Sequence, residues 1–234
     1  MNFLIKDYTQ LEQTTFKTFL GFSLMIIIFL LPSFYIFSSY YRVTNIDVQG
    51  SSYIGKTMFV EFYNVSIWSI GETSFENIYT SDRTIEKIEL TKKLPNQLDI
   101  EISHYLQVAE ITDLRGSAVT KGVLYKNLLF KETFIEDDVV NVTITNGPVD
   151  EGFNGEIVSL VMTLLNFEID ISEISLIHNG SYLKGTYKGI EIDFLEPIDL
   201  STKGSAVGEL LEKSSCTGKV TFISNNSFVT DCKI

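Results

Sequence analysis

The chain has 234 residues, 44% apolar and 21% charged, enough to fill a packed core and too apolar for wholesale disorder. Thirty acidic residues against 18 basic ones leave a net charge of -12, which excludes the broad basic surface that nucleic-acid binding needs. Seventeen Phe and 11 Tyr against four Pro favour strands over a helix bundle, and the length allows one or two small domains, or one with an anchor.

The first element is apolar. No charged residue occurs from Thr18 to Tyr41. As a helix, the run 19–31, continued through Pro32 and Ser33 into Phe34 and Phe37, is long enough for the ~30 Å hydrocarbon core of a bilayer, which takes about 20 residues. Tyr35, Tyr40 and Tyr41 gather at its far end, where amphipathic rings favour the interface. Pro32 is tolerable inside a membrane helix when neighbouring groups take up the freed carbonyl. The alternative is a cleaved signal peptide, since 19–31 also fits an h-region. Against that, no A-x-A-like site follows, the first alanine being Ala109. Charge marks orientation weakly, because Lys6 and Lys17 are offset by Asp7 and Glu12, with Arg42 and Lys56 beyond the span. The layout is a short tail (1–18), one span (19–41) and a large body, and it places the body outside the cell. The body carries the whole charge imbalance, 16 bases against 28 acids.

Within the body, 43–50 alternates apolar and polar residues and reads as a strand stopped by Gly50. Met58, Phe59 and Phe62 lie on a helical face, and Phe75, Ile78 and Tyr79 suggest a second short helix. Residues 85–90 and 98–102 alternate around Pro95-Asn96, which predicts a hairpin. Strand, helix, helix, strand, strand makes an α+β module over 42–111. A β-rich domain over 112–234 is expected, with the boundary near Thr112-Asp113. Its strands are predicted at 123–125, 139–144, 173–177, 182–187 and 189–194, with helices over 156–165 and 205–213. A closing hairpin is predicted from 219–223 and 228–234 about the turn Ser224-Asn225-Asn226-Ser227.

Four patterns bear on chemistry. Gly50-Ser51-Ser52-Tyr53-Ile54-Gly55-Lys56-Thr57 satisfies G-x4-G-K-[ST], the phosphate-cradling loop. Tyr53 and Ile54 are bulky for such a loop, and no second Mg²⁺ ligand is evident. The strands downstream read as hairpins rather than as the parallel βαβ units that support it. Coincidence is the preferred reading, so no nucleotide, cofactor or metal is expected. Cys216 and Cys232 lack the ligand count of a metal site. They are either two thiols or a disulfide closing a loop of about 15 residues, worth ~3 kcal/mol in the chain-entropy model. His104 reads as a structural or surface residue, and His178-Asn179-Gly180 as a turn. Glu136-Asp137-Asp138 reads as a solvated charge run, and nothing ties Asp170 and Glu173 to a cleft.

Taken together, these residues resemble the bacterial division proteins of the FtsQ/DivIB family. Ile46-Asp47-Val48-Gln49-Gly50 is similar to that family's first strand and glycine. Lys93-Leu94-Pro95-Asn96-Gln97-Leu98-Asp99-Ile100-Glu101-Ile102 is similar to its k-x-L-P-n-x-L-x-I-x-I hairpin, and Val108-Ala109 to the P-V-A that follows. Lys121-Gly122-Val123-Leu124 is similar to the strand entry of its β domain. Ser103-His104 stands where Glu-Arg is usual, and Gln107 where proline is. The resemblance is residue-specific from about 46 to 124 and otherwise one of element order. It implies that the α+β module is a POTRA domain and that the chain is a non-enzymatic scaffold at the division septum. The partners it implies are FtsB/DivIC-like and FtsL-like proteins outside the membrane, with the bilayer met through one helix and no small-molecule substrate. By element order it also implies partner binding along the last strand, at Phe228, Val229, Thr230, Asp231, Cys232 and Lys233. The competing readings are a secreted or anchored binding module unrelated to division, and a nucleotide-binding protein using Gly50 to Thr57.

Overall fold

The computed structural model describes residues 2–51, 54–133, 135, 138–213 and 218–231. The chain is α+β, with an apolar N-terminal helix ahead of a β-rich body. It divides into two compact units, Met1–His104 and Tyr105–Ile234.

In the first unit, helix α1 spans Asn2–Tyr40. Within it, Thr18–Tyr40 is long and apolar enough to cross a membrane, and none of its residues from 18 to 34 is buried in the protein. Pro32 interrupts the helical ladder. One residue on, the Ser33 hydroxyl donates to the Phe29 carbonyl at 2.8 Å, beside the carbonyl that Pro32 leaves without an amide donor.

A three-stranded sheet follows, ordered β1-β3-β2, from β1 (Asn45–Gln49), β2 (Ile85–Lys93) and β3 (Gln97–His104). The predicted hairpin is β2 with β3, antiparallel, with Ile88 opposite Ile102 and Leu90 opposite Ile100. Lys93 and Asp99 form an ion pair beside the turn. β1 pairs with β3 in parallel, Ile46 opposite Leu98 and Val48 opposite Ile100. Because β3 lies between β1 and β2, the link from β1 to β2 passes over the sheet, and two short helical stretches make it. Lys56–Phe62 is a 3-10 helix that departs from helical geometry at Phe59, where the sequence pattern predicts an ordinary helix. Phe59 and Phe62, three residues apart, face the same way at three residues per turn, and both are buried. A second 3-10 turn, Glu72–Phe75, runs directly into α2 (Glu76–Ser81). Phe62 and Phe75 meet edge to face at 5.4 Å, with Phe59 6.0 Å from Phe62. This aromatic knot closes the first core, each such pair adding ~0.5–1.5 kcal/mol beyond area burial.

Gly50 ends β1 at φ +84, and a Cβ placed there would lie 2.2 Å from the Ile102 carbonyl oxygen. Both the left-handed backbone and the close approach require glycine.

The second unit is a mixed nine-stranded sheet, ordered β12-β11-β10-β9-β8-β7-β4-β5-β6. Its strands are β4 (Gln107–Asp113), β5 (Thr120–Tyr125), β6 (Phe130–Lys131), β7 (Val140–Asn146), β8 (Ile174–Asn179), β9 (Leu183–Tyr187), β10 (Ile190–Leu195), β11 (Lys219–Ser224) and β12 (Ser227–Thr230). Two helices, α3 (Glu151–Leu165) and α4 (Leu200–Lys213), connect parallel neighbours: β7 to β8 and β10 to β11. The sheet is therefore not built of hairpins alone, as the sequence pattern suggests, because each helix carries the chain back to the starting end of the sheet. The units part at His104/Tyr105, ahead of the boundary expected at Thr112-Asp113. β4 pairs with β5 and β7, so its residues belong to the second sheet.

α3 begins at Asp150, whose carboxylate accepts from the Phe153 N–H at 2.9 Å, a cap worth about 1 kcal/mol. Phe153, Ile157, Leu160, Val161 and Leu164 form its buried stripe. They pack with Val142, Ile144, Leu176, Ile192, Phe194, Val220 and Phe222. α4 lies close to this layer because Gly208 is bare, a Cβ there meeting the Phe167 ring at 2.4 Å.

Asp113, at the end of β4, accepts from the Arg115 guanidinium at 2.9 Å (Nε) and 2.6 Å (Nη2). Arg115 Nη1 reaches the Gly147 carbonyl just past β7, so one side chain ties the ends of two parallel strands. The Arg115 hydrogen bonds hold the Asp113 carboxyl down at about 2.

Two outcomes follow from this geometry. Gly50→Ala should lower unfolding free energy by about 3 kcal/mol in a urea titration, because neither the backbone angle nor the Ile102 carbonyl can yield cheaply. In a carbon-detected NMR titration Asp113 should titrate near 2, and Arg115→Ala should return it toward 3.8. Since the folded-state value is the depressed one, the pair stabilises the fold above pH ~4 and that contribution fades as pH falls toward 2.

Candidate partner-binding edge

The strand that the family resemblance singles out is the last in the sheet order. β11 runs parallel to β10, with Ile192 opposite Val220. β12 folds back antiparallel onto β11, with Phe222 opposite Phe228 and Thr221 opposite Val229. Phe228 is half-buried and packs on Phe222 at 5.6 Å, and Phe222 stacks on Phe194 at 5.8 Å. An aromatic ladder of three strands therefore fixes the terminal hairpin to the core. The turn is held from outside, since the Asn225 side-chain amide donates to Asp199 at 2.5 Å, ahead of α4.

Alternation along β12 decides what the edge offers. Asp231 N–H donates to the Lys219 carbonyl at 3.0 Å, so Val229, two residues back, also bonds inward, and the main chain of Phe228 turns to the outer side. The Val229 side chain lies on the face without helices and is 55% exposed. The row behind it on that face runs Thr221, Asp193, Lys184, Ile177 and Thr143 by strand register. It is mixed and wet, as the uncovered side of such a sheet is expected to be. The chemistry available here is main-chain hydrogen bonding with one apolar side chain beside it. Of the six expected residues, Phe228 to Asp231 lie on or next to this edge. Cys232 and Lys233 lie outside the described residues, as does Cys216, and with them the choice between two thiols and a disulfide.

The other sequence candidates serve the fold. In the Gly50 to Thr57 stretch, Tyr53 lies outside the described residues. Ser51 Oγ accepts from the Ile54 N–H at 3.1 Å, and the Ile54 side chain is buried in the first core. Lys56 opens a 3-10 helix rather than the α-helix that completes a phosphate loop. His104 Nδ1 lies 3.2 Å from the Thr84 hydroxyl, which itself meets Asp82 at 2.8 Å. His178 is the end of a strand rather than a turn: it is buried against the Phe153 ring at 4.6 Å, and burial pushes its imidazole below the ordinary value. Asp170 caps Ser172 at 3.1 Å, while Glu173 pairs with Lys188 at 3.5 Å, so the two carboxylates have separate partners. Glu136 and Asp137 lie outside the described residues. No three His, Cys, Asp or Glu side chains converge on a metal position among the described residues.

Sequence reasoning missed Lys203. It is buried and its ammonium donates to the carbonyls of Phe194 and Glu196 at 2.9 and 2.8 Å, which fixes the link between β10 and α4. Its only signal is its place in the apolar stripe of α4, four residues before Val207.

No protein-family model matches this chain. Over 125 residues it is 23% identical to the cell division protein DivIB of Bacillus subtilis (strain 168). The aligned region covers 50% of this chain and 48% of that protein, so the chain matches about half the length of its curated relative.

Proposed function

We propose that this chain is a membrane-anchored, non-enzymatic scaffold of the cell-division machinery, of the FtsQ/DivIB type. The likeness to DivIB carries the reading. The hairpin residues from Lys93 to Ile102, the apolar helix and the order of elements support it. In this reading α1 anchors the chain with its tail inside and the body outside, and the three-stranded unit acts as a POTRA domain. The β12 edge receives a strand from an FtsB/DivIC-like or FtsL-like partner. Strand addition suits this edge, because main-chain bonds supply affinity and the side chain at every second residue supplies selectivity. Val229 is the apolar contact such a partner would cover. Cys232 and Lys233 belong to the same proposal as partner contacts.

The test uses the full chain in its own cell. A fluorescent fusion should form a band at the septum, and depletion should give filaments. A photocrosslinking residue at Ser227 or Val229 should capture a second membrane-anchored division protein, while one at Lys184, on the same face away from the edge, should not. Val229→Asp should weaken that partner's binding about tenfold, or ~1.4 kcal/mol, without lowering the unfolding temperature. A diffuse envelope signal with normal division would reject the scaffold role.

A further inference from the structure

We propose that the first unit touches the bilayer a second time, through the ring of Trp68, which lies in the lipid–water interface beside the end of α1. The inference rests on Thr18–Tyr40 crossing a membrane and is independent of any role in division.

The geometry begins where the apolar helix stops. α1 ends at Tyr40, and the next three residues are strapped to the segment 64–67. Ile67 N–H donates to the Tyr41 carbonyl, Val43 N–H to the Val65 carbonyl and Asn64 N–H to the Val43 carbonyl, each at 2.9 Å. Arg42 forms a bridge with Ser66, and its guanidinium donates to the Asn64 carbonyl at 2.9 Å. The segment around residue 67 is thus fixed against the helix end by main-chain bonds.

The turn that follows is equally well held. Ser69 donates to the Ser66 carbonyl through both its N–H, at 3.0 Å, and its hydroxyl, at 2.8 Å. This turn sends Ile67 and Ile70 into the first core and leaves Trp68 61% exposed. The Trp68 ring sits 5.8 Å from the Tyr41 ring, which meets Tyr40 edge to face at 5.4 Å. Three aromatic rings thus form one cluster at the last residue of the span.

Distance places that cluster in the membrane interface. The polar zone on each side of the hydrocarbon core is roughly 5–8 Å deep, the difference between a ~30 Å core and a ~40–45 Å bilayer. A ring within 6 Å of Tyr41, which directly follows the span, falls inside it. Indole suits that zone, with an apolar body for the acyl boundary and an N–H for the headgroups. Exposure of the largest apolar side chain at this point is costly in water and favourable there.

Trp68 is the sole tryptophan in the chain, so intrinsic fluorescence reads this ring alone. The full chain is reconstituted into phosphatidylcholine–phosphatidylglycerol vesicles, plain or with lipids brominated on the acyl carbons nearest the headgroup. The expected result is blue-shifted emission, loss of about half the intensity to the brominated lipid, and weak quenching by aqueous acrylamide. Strong acrylamide quenching with no effect of bromine would place the ring in water and overturn the contact. Shielding from both quenchers would mean that protein covers it, and would overturn the contact as well. Release of the chain by alkaline carbonate would instead overturn the span, and the contact with it.

Discussion

A main-chain amide removed from water needs a partner, and that requirement orders this chain from end to end. In α1 the helix meets it internally, the one arrangement besides a closed barrel that an apolar medium permits. At the exit from α1 the strap of Tyr41 to Val43 meets it at once, bonding to 64–67 before β1 begins. β1 then pairs with β3 rather than with its nearer neighbour in sequence, β2. With β3 set between β1 and β2, the chain linking those two strands passes over one face, and that covering is what closes the first core.

The second unit solves the same problem on a larger sheet. Parallel pairs between β7 and β8 and between β10 and β11 demand crossovers, and the crossovers α3 and α4 bring the apolar stripes that fill the core. Burial is one-sided as a result: Ile192, Phe194, Val220 and Phe222 are covered by helices, while Asp193, Lys184 and Thr221 remain on the wet side. Lys203 shows how strictly the accounting holds. Where the chain leaves β10 for α4, two carbonyls are satisfied by a lysine ammonium inside the protein. Burial lowers its pKa from the ordinary lysine value, and the fold accepts that cost because the alternative is two orphaned acceptors.

Much of this was legible in the residues. Period-two alternation located β3, β8 and β10, and the stripe from Ile157 to Leu165 located α3, since both signals are local. What failed was non-local. Nothing in Gln107 to Asp113 says that its partners are β5 and β7 rather than the hairpin just before it, because Gln107, Val108 and Ala109 are buried in succession and the run carries no period-two alternation. The two residues of β6 are too few to carry a period. His178 looked like part of a turn because Asn179-Gly180 follows, although its own position continues the inward side of β8. The candidate edge was readable only through family resemblance and element order. Exposure of Val229 and the anchoring of Phe228 on Phe222 depend on tertiary packing.

The two margins of the large sheet are unequal. One is β12, four residues long and continued by the Asp231 bond; the other is β6, two residues long and bent back from β5. A sheet that can lengthen along one rim only cannot string copies of itself head to tail into a fibre. Were β12 to take a strand as proposed, the two-residue β6 rim would offer little main chain to a further copy, and the assembly would stop at a discrete complex.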